Sequence, residues 1–278
     1  MDQASLEAAL AGTPINQIRY FDRLGSTNDE AARWADQGAP DLALVAADEQ
    51  TAGKGRLGRK WITPPGAALA FSLILRPETD TTLVLPRWSG LCALAVCEVL
   101  QDLYALRPEI KWPNDVLLER RKVAGVLVET VWSGERPASL ILGIGINVAP
   151  VSISELILPT SDLIFPATCI EEVLHRPVER LALLRSILER MIAWRTRLAS
   201  PEFISAWEKW LAFQGEWVRF LPGEALPDAS LQGKLPNNPP DVVDGKVLGL
   251  APDGALRLRT LAGEEIVMRV GDVRLRPV

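Results

Sequence analysis

Apolar residues recur along the chain with two different spacings, and the changes in spacing predict a series of strands and helices. Residues 42–46 form a short, continuous apolar run, and residues 68–75 form another that only Ser72 interrupts; such runs are typical of buried strands. Apolar residues follow at intervals of three and four in residues 88–103 and again in residues 181–198. These two stretches predict long helices that are buried along one side.

Local signals predict further elements. Thr27 is followed three residues later by Glu30, a capping-box spacing that predicts a helix from Ser26-Thr27 through Trp34. Ser200 before a proline predicts the start of another helix. Further predicted elements are a hairpin of residues 110–118 and 123–131, a strand over 140–148, and a helix end near residue 210. Together they predict an α+β domain in which a mixed sheet is backed by helices.

The spacing of apolar and turn residues changes after Phe213. Short apolar segments separated by turn residues predict a small five-stranded β-barrel, and four of its strands are assigned, to residues 217–220, 245–250, 255–260 and 265–270. We therefore expect two domains, residues 1–213 and 214–278. Residues 222–244 are rich in Pro, Gly, Asn and Asp, which predicts an exposed loop.

Composition limits the classes of function. The 278 residues include a single histidine, His175, so most histidine-based catalysis is excluded. Cys92, Cys97 and Cys169 lack metal-site spacing, and three cysteines in a chain without a signal-peptide pattern suit a reducing cytoplasm. No apolar run approaches the roughly 20 residues that span a bilayer. The net charge of −5 disfavours nonspecific nucleic-acid binding.

The densest candidate chemistry lies in residues 53–61, where four cations and three glycines share nine positions. Glycine lets a backbone approach a ligand closely, and arginine offers a planar set of donors that suits phosphate. The segment therefore predicts a loop that folds around a polyanion. A solvated basic loop without a ligand is the alternative.

One further motif precedes the glycine-rich loop and three follow it. Ser26-Thr27-Asn28 lies before the loop, and after it come KWPND at 111–115, KVAGVLVE at 122–129 and GIGIN at 143–147. In this order they resemble the catalytic domain of the biotin protein ligases, from about Leu24 to Val148. One position departs from the family pattern, because Lys54 stands where the loop usually has arginine. A backbone contact would survive that change, whereas a bidentate side-chain contact would not.

The resemblance implies a class II synthetase-like catalytic domain followed by an SH3-like barrel. It also implies a reaction in which ATP and biotin form biotinyl-5′-AMP, with Mg²⁺ as cofactor. A biotin carboxyl carrier protein domain would then receive the biotin. A carboxylate is a poor acylating agent, and adenylation converts it to a mixed anhydride with AMP. The protein then contributes mainly positioning and positive charge.

The resemblance also assigns candidate roles to individual residues. The catalytic candidates are Lys122, Arg56, Lys111 and Asp115. The biotin-binding candidates are Ser26, Thr27, Asn28, Gln50, Lys54, Gly55, Arg56, Lys122, Gly125 and Gly143. The ATP-binding candidates are Arg56, Lys111, Asn114, Asp115, Lys122 and Asn147.

Several of these roles have alternatives that the sequence leaves open. Lys122 lies in a basic turn, and such side chains usually face solvent. Asp115 could bind Mg²⁺ or accept a proton from the acceptor lysine. Trp61 and Trp112 could line the ligand site or pack in the core.

Other functions remain in competition with biotin ligation. A lipoate ligase or octanoyltransferase shares the catalytic fold, and a biotin-sensing protein would bind without turnover. The residues up to about Arg19 are too few for a winged-helix DNA-binding domain, so we expect no DNA partner. We also expect no membrane partner, and a homodimer is left open.

Overall fold

The computed structural model describes residues 1–15, 17–76, 85–133, 136–151, 166–221, 243–269 and 272–275. The helices are α1 Gln3–Leu10, α2 Thr27–Asp36, α3 Leu85–Tyr104, α4 Ile170–Leu174, α5 Arg180–Arg195 and α6 Pro201–Lys209. The first eight strands are β1 Ile18–Leu24, β2 Ala43–Lys54, β3 Lys60–Thr63, β4 Ala68–Leu75, β5 Glu109–Lys111, β6 Asp115–Leu118, β7 Arg121–Ser133 and β8 Arg136–Asn147. The remaining strands are β9 Trp217–Leu221, β10 Val243–Leu250, β11 Leu256–Thr260, β12 Glu265–Met268 and β13 Asp272–Leu275.

The first eight strands form one mixed sheet in the order β1-β2-β4-β8-β7-β6-β5, with β3 paired to β2. Strands β1 and β2 are parallel, and the other pairs are antiparallel. Apolar side chains on one face of this sheet form the main core with α1, α3, α5 and α6. The predicted α+β fold with a mixed sheet and backing helices is confirmed.

Helix α2 lies on the opposite face of the sheet. Ala31, Trp34 and Ala35 of this helix pack on the side chains of Val45, Ile74 and Ile141 in a small second core. Because side chains alternate between faces along a strand, the residues two positions before Ile74 and two positions after Ile141 lie on this same face. These residues are Ser72 and Gly143, which lie beside the start of α2.

The last five strands form an antiparallel sheet in the order β12-β11-β10-β9-β13. Five strands confirm the predicted number. The described residues do not close them into a barrel, because β12 and β13 are the two ends of the order. The predicted loop at 222–244 lies outside the described residues except for Val243 and Asp244, which begin β10.

Two local predictions were wrong. The capping box on Thr27 does not form, because Ser26 is the N-cap and makes no side-chain capping bond. Glu30 instead pairs with Arg19 at 2.9 Å. Residues 110–118 are two strands, since β5 and β6 form their own hairpin around residues 112–114. The turn between β6 and β7 lies at Glu119 and Arg120, both with positive φ.

The helices predicted from apolar spacing and from the Ser200 cap are confirmed. Ser200 is the N-cap of α6, and its hydroxyl accepts a hydrogen bond from the Phe203 amide at 3.3 Å. Cys92 and Cys97 are fully buried in α3, where burial raises the pKa of both thiols. Helices α1 and α4 and strands β1, β3 and β13 were not predicted.

Candidate functional site

Three glycines form a strip across the α2 face of the main sheet, and we call Gly125, Gly143 and Gly145 the glycine strip. Gly125 pairs with Asp115 on β6 and with Gly145 on β8. Gly143 pairs with Ser72 on β4. Cross-strand partners share a face, so the strip connects Asp115 at one end with Ser72 at the other.

Buried polar side chains meet at the α2 end of the glycine strip. We call Thr27, Asn28, Gln50 and Ser72 the neutral cluster. The Thr27 amide donates to Gln50 Oε1 at 2.8 Å, and the Thr27 hydroxyl lies 3.1 Å from the same oxygen. The other side of Gln50 donates from Nε2 to Thr63 Oγ1 at 3.3 Å. The backbone amide of Thr27, which has no hydrogen-bond acceptor within the helix, is thus paired with the side chain of Gln50 on β2.

Asn28 extends the neutral cluster towards β7. Its Nδ2 atom donates to Glu129 Oε2 at 2.6 Å, and its Oδ1 atom lies 2.6 Å from Ser72 Oγ. A Cβ atom at Gly143 would lie 2.0 Å from Asn28 Oδ1. Only glycine at this position of the strip leaves room for the amide.

Charged side chains meet at the other end of the glycine strip. We call Arg56, Lys111, Asn114, Asp115 and Lys122 the charged cluster. Lys122 Nζ lies 2.7 Å from Asp115 Oδ1, and Lys111 Nζ lies 3.4 Å from Asp115 Oδ2. Lys111 is only 2% exposed, and Asp115 is buried as well. One carboxylate is therefore shared by two ammonium groups.

The glycine-rich loop contributes one cation to the charged cluster. This loop is the hairpin of β2 and β3, closed by a short 3₁₀ turn at Arg56–Gly58. Arg56 Nη1 donates to Asn114 Oδ1 at 3.1 Å, and Asn114 Nδ2 donates to the Val126 carbonyl at 2.8 Å. Asn114 thereby connects the loop to β7.

The indole of Trp61 lies on the glycine strip between the two clusters. A Cβ atom at Gly145 would lie 2.5 Å from this indole, and a Cβ at Gly125 would lie 3.3 Å from it. Lys122 Nζ is 5.4 Å from the centre of the Trp61 ring, within the range of a cation–π contact. The buried Trp61 Nε1 has no hydrogen-bond partner within the described residues.

Three predicted site residues make contacts outside both clusters. Lys54 forms an ion pair with Asp29, and this hydrogen bond raises the pKa of Lys54. The amide of Gly55 donates to the Arg59 carbonyl at 2.7 Å within the hairpin. Asn147 Nδ2 donates to the Thr168 carbonyl at 3.0 Å. Ser26 is buried beside the neutral cluster as the N-cap of α2.

The described residues fit a protein-bound magnesium ion poorly. They contain no group of three or more histidine, cysteine, aspartate or glutamate residues that could hold a metal. Asp115, the predicted ligand, already has ammonium groups near both oxygens. Magnesium usually binds through carboxylates together with substrate phosphates. The magnesium role of Asp115 stays a prediction, and no step below uses it.

The C-terminal sheet contacts the hairpin that carries the charged cluster. Trp112, between Lys111 and Pro113, donates from Nε1 to the Gly254 carbonyl at 2.9 Å. Its ring centre lies 6.1 Å from that of Phe220 on β9. Glu208 of α6 accepts a hydrogen bond from the Leu250 amide at 2.9 Å. Trp112 is therefore a core residue between the two sheets and not a wall of the glycine strip.

Sequence analysis missed Ser72, Thr63 and Glu129. Ser72 is fully buried within the otherwise apolar strand β4, and a buried hydroxyl needs a hydrogen-bond partner. Glu129 likewise interrupts an apolar run in β7. A lone polar residue in an apolar strand was the available signal, but it does not reveal the partner.

The chain is similar to known proteins over most of its length. Residues 20–147 match the biotin/lipoate A/B protein ligase family model. The biotin–[acetyl-CoA-carboxylase] ligase of Paracoccus denitrificans is 34% identical over 88% of this chain and 95% of that protein. The biotin protein ligase from Aquifex aeolicus, solved in complex with biotin and ATP, has a TM-score of 0.73 and 27% identity. It covers 94% of this chain and 100% of the solved one.

A longer relative matches over a smaller part. The bifunctional ligase/repressor BirA of Bacillus subtilis is 41% identical over 46% of this chain. The match spans 39% of that relative, so the chain corresponds to about two fifths of its length. No helix among the described residues is long and apolar enough to cross a membrane.

Proposed function

Because this chain belongs to the biotin protein ligase family, we propose that it adenylates biotin with ATP and transfers the biotinyl group to a carrier lysine. The observation that carries this proposal is the glycine strip with unlike ends. Its neutral cluster suits a polar ring without charge, and its charged cluster suits a carboxylate beside phosphates. The carrier is a biotin carboxyl carrier protein domain of a carboxylase.

In the first half-reaction the biotin carboxylate attacks the α-phosphorus of ATP. A bond forms between a carboxylate oxygen and phosphorus, and pyrophosphate leaves with the electron pair of the broken P–O bond. Negative charge accumulates on the phosphate oxygens. The cations Arg56, Lys111 and Lys122 would stabilise that charge, and one such group typically contributes 10²–10³ in rate.

Lys122 is the first candidate for the catalytic cation. Its ammonium group lies beside Gly125 and the Trp61 indole, where the reacting carboxylate would meet the charged cluster. Asp115 holds this ammonium at 2.7 Å and so restricts where it points. Lys111 is too deeply buried to move far, and we assign it to neutralising charge near the phosphates.

The neutral cluster would bind the ureido ring of biotin. A ureido group has one carbonyl that accepts and two N–H groups that donate. Ser26, Thr27 and Gln50 supply both kinds of partner at the start of α2. Lys54, Gly55, Asn114 and Asn147 stay proposed ligand contacts through the loop and the end of β8.

In the second half-reaction the carrier lysine attacks the acyl carbon and AMP leaves. The amine has an unperturbed pKa of about 10.4 and must lose its proton first. Asp115 is a candidate base near the acyl position, and its contact with Lys122 also lets it orient that ammonium group.

We further propose that residues 1–213 and 214–278 are two domains and that the second is an SH3-like barrel. Five antiparallel strands and the bulge in β10 near Gly249 support this architecture. We also propose a cytoplasmic enzyme that does not bind operator DNA, on the basis of its acidic net charge. A homodimer stays open.

Pyrophosphate exchange tests the proposal directly. The purified protein should exchange labelled pyrophosphate into ATP when biotin is added and not when lipoate is added. In a second assay, mass spectrometry of a carrier domain should detect one added biotinyl group. Exchange with lipoate would favour the lipoate ligase alternative. Biotin binding without exchange would favour a sensing protein.

A further inference from the structure

Glu129 fixes which way the side-chain amide of Asn28 points. Asn28 Nδ2 lies 2.6 Å from Glu129 Oε2 and 3.3 Å from the Leu127 carbonyl oxygen. A carboxylate and a backbone carbonyl can only accept hydrogen bonds. The amide nitrogen must therefore face β7, and the amide oxygen must face the opposite way.

That orientation determines the direction of the next two hydrogen bonds. Asn28 Oδ1 lies 2.6 Å from Ser72 Oγ and can only accept, so it takes the single hydroxyl proton of Ser72. Ser72 Oγ also lies 2.8 Å from Thr27 Oγ1. With its proton already committed, Ser72 accepts in this second contact, and the Thr27 hydroxyl donates.

The Thr27 hydroxyl proton is then committed to a protein acceptor and is not available to a ligand. Gln50 Oε1, the other neighbour of this hydroxyl at 3.1 Å, accepts from the Thr27 backbone amide at 2.8 Å and can only accept, so a hydroxyl proton shared with it is equally unavailable to a ligand. Thr27 Oγ1 therefore acts towards a ligand as a hydrogen-bond acceptor, and an N–H group of the ligand is its matching donor. A ligand oxygen at the same place would meet another oxygen without a proton between them.

We infer that Glu129 is a positioning residue that acts through Asn28 and Ser72 to make Thr27 an acceptor for a ring N–H of the ligand. The inference rests on the proposed binding of a ureido ring. Glu129 itself need not touch the ligand. Glutamine at this position has the same shape but can present either an oxygen or an NH₂ group, so the Asn28 amide could turn over and the direction would be lost.

A double-mutant cycle on biotin affinity tests this inference. We expect Glu129→Gln to raise the biotin Kd, measured by calorimetry, by about 10- to 100-fold, the range for a mismatched buried hydrogen bond. Ser72→Ala should cost at least as much. The double variant should bind no more weakly than Ser72→Ala alone, because Glu129 acts through Ser72. The ATP KM in pyrophosphate exchange should stay within about twofold of wild type.

Glu98→Gln is the matched control. Glu98 is a half-buried carboxylate that pairs with Arg190 at 2.9 Å and accepts from Trp194 Nε1 on the opposite side of the molecule. Its neutralisation should leave the biotin Kd unchanged. Costs that add in the double variant, or a Glu129→Gln protein that binds biotin like wild type, would overturn the inference and leave the proposed function intact.

Ligand analogues test the same point in the wild-type protein. Two cyclic carbamates, each with one ureido N–H replaced by oxygen, should bind differently. One of them should bind at least about 100-fold more weakly than biotin, because it opposes an oxygen to Thr27. If both bind within a few fold of biotin, Thr27 does not act as an acceptor. If biotin itself does not bind, the proposed function fails first.

Discussion

The two ends of the glycine strip differ in the kind of ligand group that they suit. In the neutral cluster the side chains of Thr27, Asn28, Gln50 and Ser72 all bond to other protein groups. In the charged cluster Lys111 and Lys122 share the carboxylate of Asp115, and Arg56 bonds to Asn114. The neutral end therefore presents hydrogen-bonding groups that are already arranged, whereas the charged end presents positive charge that suits an anion.

The burial of Lys111 increases the difference between the charged end and the neutral end. Lys111 is almost fully buried, and an isolated buried ammonium would be strongly disfavoured. Asp115 supplies a counter-charge at 3.4 Å, and Lys122 shares the same carboxylate at 2.7 Å. A triphosphate would add negative charge beside these cations. We therefore expect changes at the charged end to affect the rate, and changes at the neutral end to affect biotin affinity.

The largest effect should follow from Lys122→Ala. The side chain is 28% exposed and carries little of the core, so the fold should be retained. Loss of the cation should slow adenylate formation by about 10²–10³ while the biotin Kd changes little. Single-turnover formation of biotinyl-AMP measures the first quantity, and calorimetry measures the second.

Arg190→Ala is a control for the loss of an ion-paired cation. Arg190 bonds Glu98 and Asp102 between α3 and α5, far in the fold from both clusters. It should leave the adenylation rate unchanged. A folded Lys122→Ala protein with wild-type rate would exclude Lys122 as the catalytic cation and would contradict the division between the two ends.

Gly143→Ala should produce the converse result at the neutral end. The new Cβ would lie 2.0 Å from Asn28 Oδ1, so the amide must move. We expect the biotin Kd to rise by about 10-fold or more, in keeping with the loss of a buried hydrogen bond. The rate at saturating biotin should change much less. Gly25→Ala is the control, because a Cβ there meets no atom within 4 Å. A change in rate without a change in affinity would contradict the comparison.

The same contrast explains what could be predicted from sequence. All five residues of the charged cluster were among the predicted site residues, because Lys111, Asp115 and Lys122 lie in motifs rich in residues with evident chemistry; their roles stay predictions. The long helices were also predicted, because apolar spacing is a local signal. The resemblance to a known family added the order and roles of these residues.

Long-range pairing limited the rest. Ser72 and Glu129 reach Asn28 only because β4, β8 and β7 are neighbours in the sheet, and no local pattern encodes that order. Thr27 lost its predicted capping role for the same reason, since β2 and β4 supply its partners. Trp112 could not be assigned to the core without knowing that Gly254 lies beside it.

Arg56→Ala should have a smaller effect that tests the loop. Arg56 is tied to Asn114 at 3.1 Å, so the loop and the charged cluster are connected by this side chain. The variant should release biotinyl-AMP about tenfold faster, which matches the loss of one hydrogen bond to a charged group. Biotin binding without ATP should be unchanged.

Limited proteolysis of residues 53–60 gives a second measurement on the loop. Biotin with ATP should protect this segment in the wild-type protein, and the protection should weaken in Arg56→Ala. Equal protection with and without ligands would mean that the hairpin is a rigid element. Arg56 would then bind phosphate without any change in the loop.

The smallest effect should follow from Trp112→Phe, which tests how far the C-terminal sheet supports the charged end. Phenylalanine keeps an aromatic ring near Phe220 but leaves the Gly254 carbonyl without the indole donor. The free energy of unfolding should fall by about 1–3 kcal/mol. Because Trp112 adjoins Lys111, the ATP KM should rise a few fold while the biotin Kd stays constant.

Trp194→Phe is the matched control: Trp194 also donates from Nε1 at 2.9 Å, but to Glu98 beneath α5. It should lose similar stability with no change in the ATP KM. Equal ATP KM values in the two variants would mean that the C-terminal sheet stabilises the fold without positioning Lys111.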